Sequence, residues 1–417
     1  METLRFMMVS THYPPYYIGG DAIFVKHLSE ELARMGHEVH VFHNPSIYNL
    51  LRGQSGGRND SCTRDQHVAS HPYKSARPRL EAGRVLAFGS SRKAERELLR
   101  LCRDNKIDVI HWNNTRGFIS RPIETLDMVS LYTAHDYYLV CPRSNLLLPG
   151  LNVCDKPTLC SVCALRWGKP PHFWRLNGRR VVSLPGRTIA TAPSCFAADR
   201  LKRDGIQVDR VVRNFVPDPG RCENRSERNT LLYLGLMEPH KDPLTLVQAF
   251  RMTQGQHQYK LSMVGEGSQR TAVEAKVKTM GLANRVSIHG FLAQAQLEDL
   301  WSRVGYLVIP SIWYENAPLV VLEALARGVP VISSDAGGLP EISVPESGSL
   351  VFRAGDPHSL AQKLVEAWNG RDDQRNLIAK ARKVYLERHT PRVGAEGYLS
   401  LISNEARGHE CGDNISH

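Results

Sequence analysis

Two glutamates with seven residues between them, Glu315 and Glu323, enclose Asn316-Ala317-Pro318-Leu319 and an apolar run, and Gly-Gly-Leu-Pro-Glu follows at 337–341. Asn316 and Pro318 read as the start of a helix, since a polar cap satisfies free backbone N–H groups and proline fits a first turn that needs none. Glu315 then lies just outside that helix and Glu323 inside it. At 1.5 Å of rise per residue, Pro318 to Glu323 spans about 7.5 Å. The two carboxylates could therefore accept hydrogen bonds from different hydroxyls of one elongated polar ligand, while the helix start faces its anionic part. A nucleotide sugar has that shape and charge. An exposed pair of acids on a helix is the plain alternative, which the rest of the chain must decide.

Other residues fit the same ligand. Gly235 closes an apolar run, and Lys241 stands before Asp242-Pro243, a cap and first turn, where a cation beside free amides could neutralise a diphosphate. Gly265-Glu266-Gly267 follows the next run; its small residues make room for a nucleotide or simply form a tight turn capped by Ser268. Near the start, Gly19-Gly20 directly precedes an amphipathic stretch, where glycine lets amides approach a phosphate or sugar closely. The dinucleotide fingerprint G-x-G-x-x-G is absent, so a nicotinamide enzyme fits poorly. His135 ends the run Val129–Thr133, a place where cleft residues gather, and Asp136 is expected to orient its ring.

Two further patterns concern structure and location. Cys141, Cys154, Cys160 and Cys163 fall within 23 residues, and Cys160-x2-Cys163 has the spacing of a metal knuckle. Four thiols could close a tetrahedral zinc site or hold an iron–sulfur cluster, zinc being the simpler structural role; unligated thiols fit equally. Between Lys156 and Ala198 there is no acid, while Arg166, Lys169, Arg175, Arg179 and Arg180 are interleaved with Trp167, Phe173 and Trp174. Basic and aromatic residues together favour an acidic membrane surface, against the alternatives of a solvated basic face or single-stranded nucleic acid.

Elements must bring these residues together. The 417 residues are 42% hydrophobic and 23% charged, enough for a sizeable core and two or three domains. The net charge of +11 favours anionic partners. Nine cysteines without an evident export signal or long apolar run point to reduced thiols and a cytoplasmic protein. Short apolar strands alternate with helical periodicity twice, the pattern of α/β units around parallel sheets. The first half has strands at 5–10, 38–42, 109–112, 129–133 and 188–191, with helices at 22–35 and 94–102. The second has strands at 231–234, 260–264, 286–289, 306–309 and 330–333, with helices near 244–252, 269–280, 295–303 and 318–327. Polar, Pro- and Gly-containing 217–229 reads as a linker. The expected fold is two Rossmann-like doubly wound domains facing a cleft, 1–216 and 230–390, with loops at the carboxyl ends of the strands around a ligand.

The E-x7-E spacing, Gly19-Gly20, Gly36-His37-Glu38-Val39, His135 and the Gly337-Gly338 loop together resemble the retaining glycosyltransferases of family 4, of GT-B fold. The resemblance covers about 5–43 and 230–360 best. It implies that the first domain binds acceptor, that the second binds a nucleotide-diphosphate sugar as co-substrate, and that the C-terminal 391–417 packs back on the first domain. It gives Glu315 to the donor sugar, Glu323 to the ribose, and His135 to the sugar near its reacting carbon. It implies hexosyl transfer with retention and without a catalytic metal or other cofactor. The chain departs from the family at Leu236, where an arginine usually makes a second phosphate contact. With the basic segment, the expected acceptor is a lipid-linked or membrane-proximal glycan precursor of polysaccharide biosynthesis, met peripherally at the inner face of a membrane. Two alternatives remain: a nucleotide-sugar epimerase on the same scaffold, and a non-catalytic sugar-nucleotide-binding protein.

Overall fold

A computed structural model of the chain describes residues 2–17, 19–52, 67–125, 127–155, 160–168, 172–175, 181–220, 228–370 and 373–412. It divides into two compact units. One comprises Met1–Pro149, Cys154–Asn214 and Pro391–His417; the other comprises Gly150–Val153 and Phe215–Thr390.

The first unit carries β1 (Arg5–Val9), α1 (Gly20–Arg34), β2 (Glu38–His43), α2 (Pro45–Arg52), β3 (Val68–Pro72), α3 (Pro78–Phe88), α4 (Arg92–Asp104), β4 (Val109–Trp112), β5 (Val129–Thr133), α5 (Cys160–Arg166), β6 (Thr188–Ala192), α6 (Cys195–Arg203) and β7 (Arg210–Val211). Among the described residues the strands pair in parallel in the order β3-β2-β1-β4-β5-β6-β7. Phe6, Met7, Met8 and Val9 are all buried, as expected where helices cover both faces of a parallel sheet. The second unit repeats the plan with β8 (Thr230–Leu234), α7 (Pro243–Met252), β9 (Lys260–Val264), α8 (Arg270–Thr279), β10 (Val286–His289), α9 (Gln294–Trp301), β11 (Val304–Ile309), α10 (Leu319–Ala326), β12 (Val331–Ser334), α11 (Leu339–Ile342), β13 (Leu350–Phe352), α12 (Pro357–Asn369) and α13 (Gln374–Arg388). Its parallel order is β10-β9-β8-β11-β12-β13. The last helix, α14 (Pro391–Gly412), belongs to the first unit, where the Tyr398 hydroxyl lies 3.0 Å from Thr133 Oγ1 and its ring packs against His111. No helix among the described residues is long and apolar enough to cross a membrane.

Each sheet has one place where successive strands depart in opposite directions: β1 beside β4, and β8 beside β11. The loops leaving two such strands splay apart and open a crevice at their carboxyl ends. Gly19, Asn113 and Asn114 follow the first pair, and Lys241 and Glu315 follow the second.

Local chemistry differs from expectation at the start of α10. The helix begins at Leu319, and Pro318 flanks it in an extended conformation, φ −68° and ψ 128°, with no side-chain cap. The proline ring permits this ψ as readily as a helical one, so Asn316 sits two residues further out than a cap. Strands β3 and β13 were not expected either; β3 is a short, largely exposed Val-Ala-Ser-His-Pro edge, which lacks an apolar run.

The buried histidines of the first unit set its acid tolerance. Burial, with a smaller contribution from His135, pushes His111 down to about 3, and burial alone does the same for His135. Both stay neutral in the native protein, whereas an unfolded histidine takes up a proton near 6.5. Their stability contribution is therefore complete above about pH 6.5 and erodes as pH falls toward the native values, by about 1.4 kcal/mol per pH unit for each group. Denaturation midpoints at pH 7 and pH 5 should show this loss. His111→Gln, which cannot titrate, should flatten the slope; parallel slopes for the two proteins would exclude the assignment.

Candidate functional sites

In the second unit, the chain leaves β8 through Gly235 and a short 3-10 turn, Pro239–Lys241. Asp242 then takes a left-handed conformation (φ 51°) and caps α7, its carboxylate accepting from the Thr245 amide at 3.3 Å. Those two devices set the Lys241 side chain toward the loop that follows β11. Lys241 Nζ lies 2.5 Å from Glu315 Oε1 and 5.0 Å from the centre of the Trp313 ring. The same oxygen accepts from Ser311 Oγ at 2.7 Å. Glu315 is only 5% exposed, and burial by itself would push its carboxyl up. The Lys241 charge, with the hydrogen bonds from Lys241 and Ser311, outweighs burial and holds the carboxyl below the ordinary value. The result is an ionised pair at the switch-point crevice, with the lysine partly open to solvent.

The Glu315 loop is fixed by its backbone. Ile312 N donates to His240 O at 3.0 Å, Ser334 Oγ donates to Ser311 O at 2.6 Å, and Gly338 N donates to Glu315 O at 2.6 Å. A Cβ on Gly337 (φ 69°) would lie 2.3 Å from Glu315 O and 2.6 Å from Glu315 N. Only glycine permits that approach. The Gly-Gly run thus brackets the glutamate. Gly265 and Gly267 also serve backbone contact: a Cβ there would meet Gly235 O at 1.9 Å and Met237 O at 2.4 Å. The space these glycines make is filled by the neighbouring loop.

Glu323 lies on α10, whose Val321, Leu322, Ala324, Leu325 and Ala326 are fully buried. Burial raises its carboxyl, Glu298 adds to this, and Arg327 opposes it. Arg327 pairs with Glu298 at 2.6 Å and donates to the backbone oxygen of Glu323 at 3.1 Å, so it acts on the Glu323 carboxylate through its charge and not through that hydrogen bond. Asn316 and Ala317 are buried beside Glu315. Leu236 is 52% exposed, and Arg270, the first cation after the Gly-Glu-Gly turn, is paired with Glu266 and Glu274.

In the first unit, Gly19 (φ 89°) precedes α1, Gly20 is its first residue, and Asp21 in its first turn accepts from Asn114 Nδ2 at 2.5 Å. His135 Nε2 lies 2.9 Å from Asn113 Oδ1, and the Asn113 amide donates to His111 O at 3.0 Å. That amide orientation puts the His135 proton on Nε2 and makes Nδ1 the acceptor nitrogen. The sequence suggested that Asp136 orients this ring, but Asn113 holds it instead. The Asp136 carboxylate, raised to about 6 by burial, accepts from the Tyr138 amide at 2.7 Å, because a short side chain after a strand reaches the amide two residues on more easily than a neighbouring ring. Asn113, Asn114, Ser311 and Trp313 were missed; their positions directly after β4 and β11 were the available signal.

Further corrections concern the basic and cysteine-rich segment. Arg175 is 6% exposed: it donates to Tyr138 O at 2.6 Å and lies over the rings of Tyr138 and Trp174. Trp167 is half-buried under Arg143, and Trp174 packs on Gly89. These three serve packing, since a planar guanidinium is satisfied equally by a carbonyl and a ring face. Arg166 is exposed, and Lys169, Arg179 and Arg180 lie outside the described residues. Cys141, Cys154, Cys160 and Cys163 are not joined in disulfides among the described residues, and burial, then the other three thiols, push Cys154 up to about 11. Among the described residues no three Cys, His, Asp or Glu side chains are arranged to hold a metal ion. The cysteines are anchored to different elements: Cys141 N to Tyr137 O, Cys154 O to Arg200, and Cys160 and Cys163 to α5.

Comparison with known proteins agrees with this architecture. Residues 18–218 match the model described as Glycosyltransferase Family 4, and 220–384 match that described as Glycosyl transferases group 1. An uncharacterised glycosyltransferase of Methanocaldococcus jannaschii is 24% identical over 419 residues, covering 93% of this chain and 95% of its own. Glycogen synthase of Mycobacterium tuberculosis is 26% identical over 359 residues, covering 81% and 80%. The structure of Anabaena HepE in complex with UDP and glucose superposes with a TM-score of 0.63 at 14% identity, over 96% of this chain and all of that one. Two parallel-sheet Rossmann-like units of this kind define a GT-B enzyme. The chain belongs to the group 1, family 4 glycosyltransferases.

Proposed function

We propose that the enzyme transfers a hexosyl unit, with retention, from a nucleotide-diphosphate sugar to a hydroxyl of a lipid-linked or membrane-proximal glycan precursor at the inner face of a membrane. The observation that carries this is the ion pair of the half-buried Lys241 with the buried Glu315 at the switch point of the second unit. The ammonium is placed to take up negative charge as the anomeric carbon parts from the diphosphate, the type of charge whose stabilisation dominates many catalysed rates. Glu315, ionised and fixed on both sides by backbone, orients donor hydroxyls, and Glu323 accepts from the ribose. The acceptor oxygen bonds to the anomeric carbon on the face the diphosphate leaves, and its proton passes to a phosphate oxygen, so no catalytic metal is needed. His135, neutral and held by Asn113, donates or accepts a hydrogen bond without titrating above about pH 4.

The UDP and glucose bound to HepE support a nucleotide-sugar donor and make UDP-glucose the first candidate to test. A thermal-shift screen with UDP, GDP, ADP and their sugars reads the donor class, because a ligand binding only the folded state raises stability by mass action. Nuclear magnetic resonance of the product then reads the anomeric configuration. An inverted product would remove retention, and conversion of donor without acceptor would favour an epimerase.

A further inference from the structure

The basic and aromatic segment at 156–198 turns much of its aromatic surface inward, yet an outward basic and apolar surface exists on a helix that sequence composition did not single out. Helix α3 presents two faces. Pro78, Glu81, Ala82 and Val85 face the unit, and the Glu81 carboxylate is taken up by hydroxyls of Tyr73 and Ser91. The opposite face carries Leu80, Arg84 and Phe88 at successive four-residue steps, one above another on a helix. Leu80 is 61% exposed and Phe88 72%, and Arg84 is exposed between them. Arg77 and Arg79 at the helix start are also exposed, as is Lys74 before it. Glu81 is the only acid between Gln66 and Ala94, and it points inward.

The surface continues past the helix. Gly89 follows Phe88 and takes a left-handed conformation (φ 86°) that ends α3; a Cβ there would lie 3.1 Å from the Trp174 indole. The turn Phe173–Arg175 therefore sits on this helix end, and Phe173 in that turn is 54% exposed. Large apolar side chains flanked by arginines, on a stretch whose one acid points inward, match a surface that is apolar beneath and anionic on top.

We propose that α3 and the turn at Phe173 dock the enzyme on an anionic lipid bilayer, with Leu80, Phe88 and Phe173 entering the headgroup–acyl boundary and Arg77, Arg79 and Arg84 meeting acidic headgroups. This deepens the reading of a membrane-proximal acceptor and rests on it. Apolar side chains supply burial and cations supply charge, the two contributions by which interfacial helices bind.

The test is co-sedimentation of the full-length protein with vesicles of phosphatidylcholine, with and without phosphatidylglycerol. The wild type should bind only the mixed vesicles and release in high salt. Arg77→Gln/Arg79→Gln/Arg84→Gln should weaken binding about a hundredfold, from roughly 1 kcal/mol per cation near an acidic surface. Leu80→Ser/Phe88→Ser should weaken it at least tenfold, and because all these side chains are exposed, the thermal midpoints should stay at the wild-type value. Wild-type indifference to phosphatidylglycerol, or variants that bind as the wild type does, would overturn the proposal. So would a dimer lost with Leu80→Ser/Phe88→Ser in protein that ignores vesicles. Donor turnover with a water-soluble acceptor should be unchanged in the variants. That measurement separates the two readings, since active protein that ignores vesicles loses only the docking surface.

Discussion

Replacing Lys241 with alanine should lower kcat/KM by about two to three orders of magnitude, the usual cost of removing one group that stabilises developing negative charge. The same change should destabilise the second unit. Glu315 would keep its hydrogen bond from Ser311 but lose its counterion, and a buried charge left unpaired costs about 3–5 kcal/mol; the partly open position of Lys241 places the loss toward or below the lower end of that range. The double variant Lys241→Ala/Glu315→Gln distinguishes the two effects. It removes the orphaned charge, so its denaturation midpoint should recover toward the wild type while turnover stays lost. If Lys241→Ala retained more than a third of wild-type kcat/KM, the ammonium would not be the leaving-group cation.

The second large effect is expected from a single methyl group. In Gly337→Ala the added carbon would stand 2.3 Å from Glu315 O, against main chain that is itself hydrogen-bonded and cannot swing aside. A left-handed backbone adds strain of about 1–2 kcal/mol for a non-glycine residue. The loop must shift, and Glu315 with it. Donor affinity and turnover should both fall at least a hundredfold, since ångström-scale displacement of a positioning group costs on that order. Gly348→Ala is the matched control: it has a similar φ of 73°, but its Cβ would meet the flexible end of Leu377 at 2.7 Å. Both variants should lose stability, whereas only Gly337→Ala should lose nucleotide-induced stabilisation. Equal loss of nucleotide response in the two would mean that general strain, not the bracket on Glu315, carries the effect.

Much of the framework was legible in the chain. The strands at 109–112, 129–133, 260–264 and 286–289 have the boundaries that their apolar runs suggest. In a parallel sheet covered on both faces, a strand reads as a continuous apolar stretch. Edge strands β3 and β13 escaped notice because one is largely polar and the other only three residues long. The glutamate pair and Lys241 were likewise legible as residues of the right type after the right strands. Their union was not. Lys241 and Glu315 are 74 positions apart, and they meet because β8 pairs with β11, a strand separated from it by two others in sequence. The glycines show the same limit, since Gly337 and Gly265 are required by backbones remote in sequence.

The sequence by itself determined the two parallel α/β units, the loops on which functional groups stand, and the chemistry of those groups, because these depend on local apolar runs, turn residues and side-chain type. Only the tertiary structure decided which groups meet and which face water. Arg175 and Arg84 carry the same guanidinium in similarly basic surroundings, yet Arg175 is buried against Tyr138 and Arg84 is exposed beside Phe88. Burial and pairing depend on neighbours brought in by strand order and helix packing. Local composition cannot contain that information.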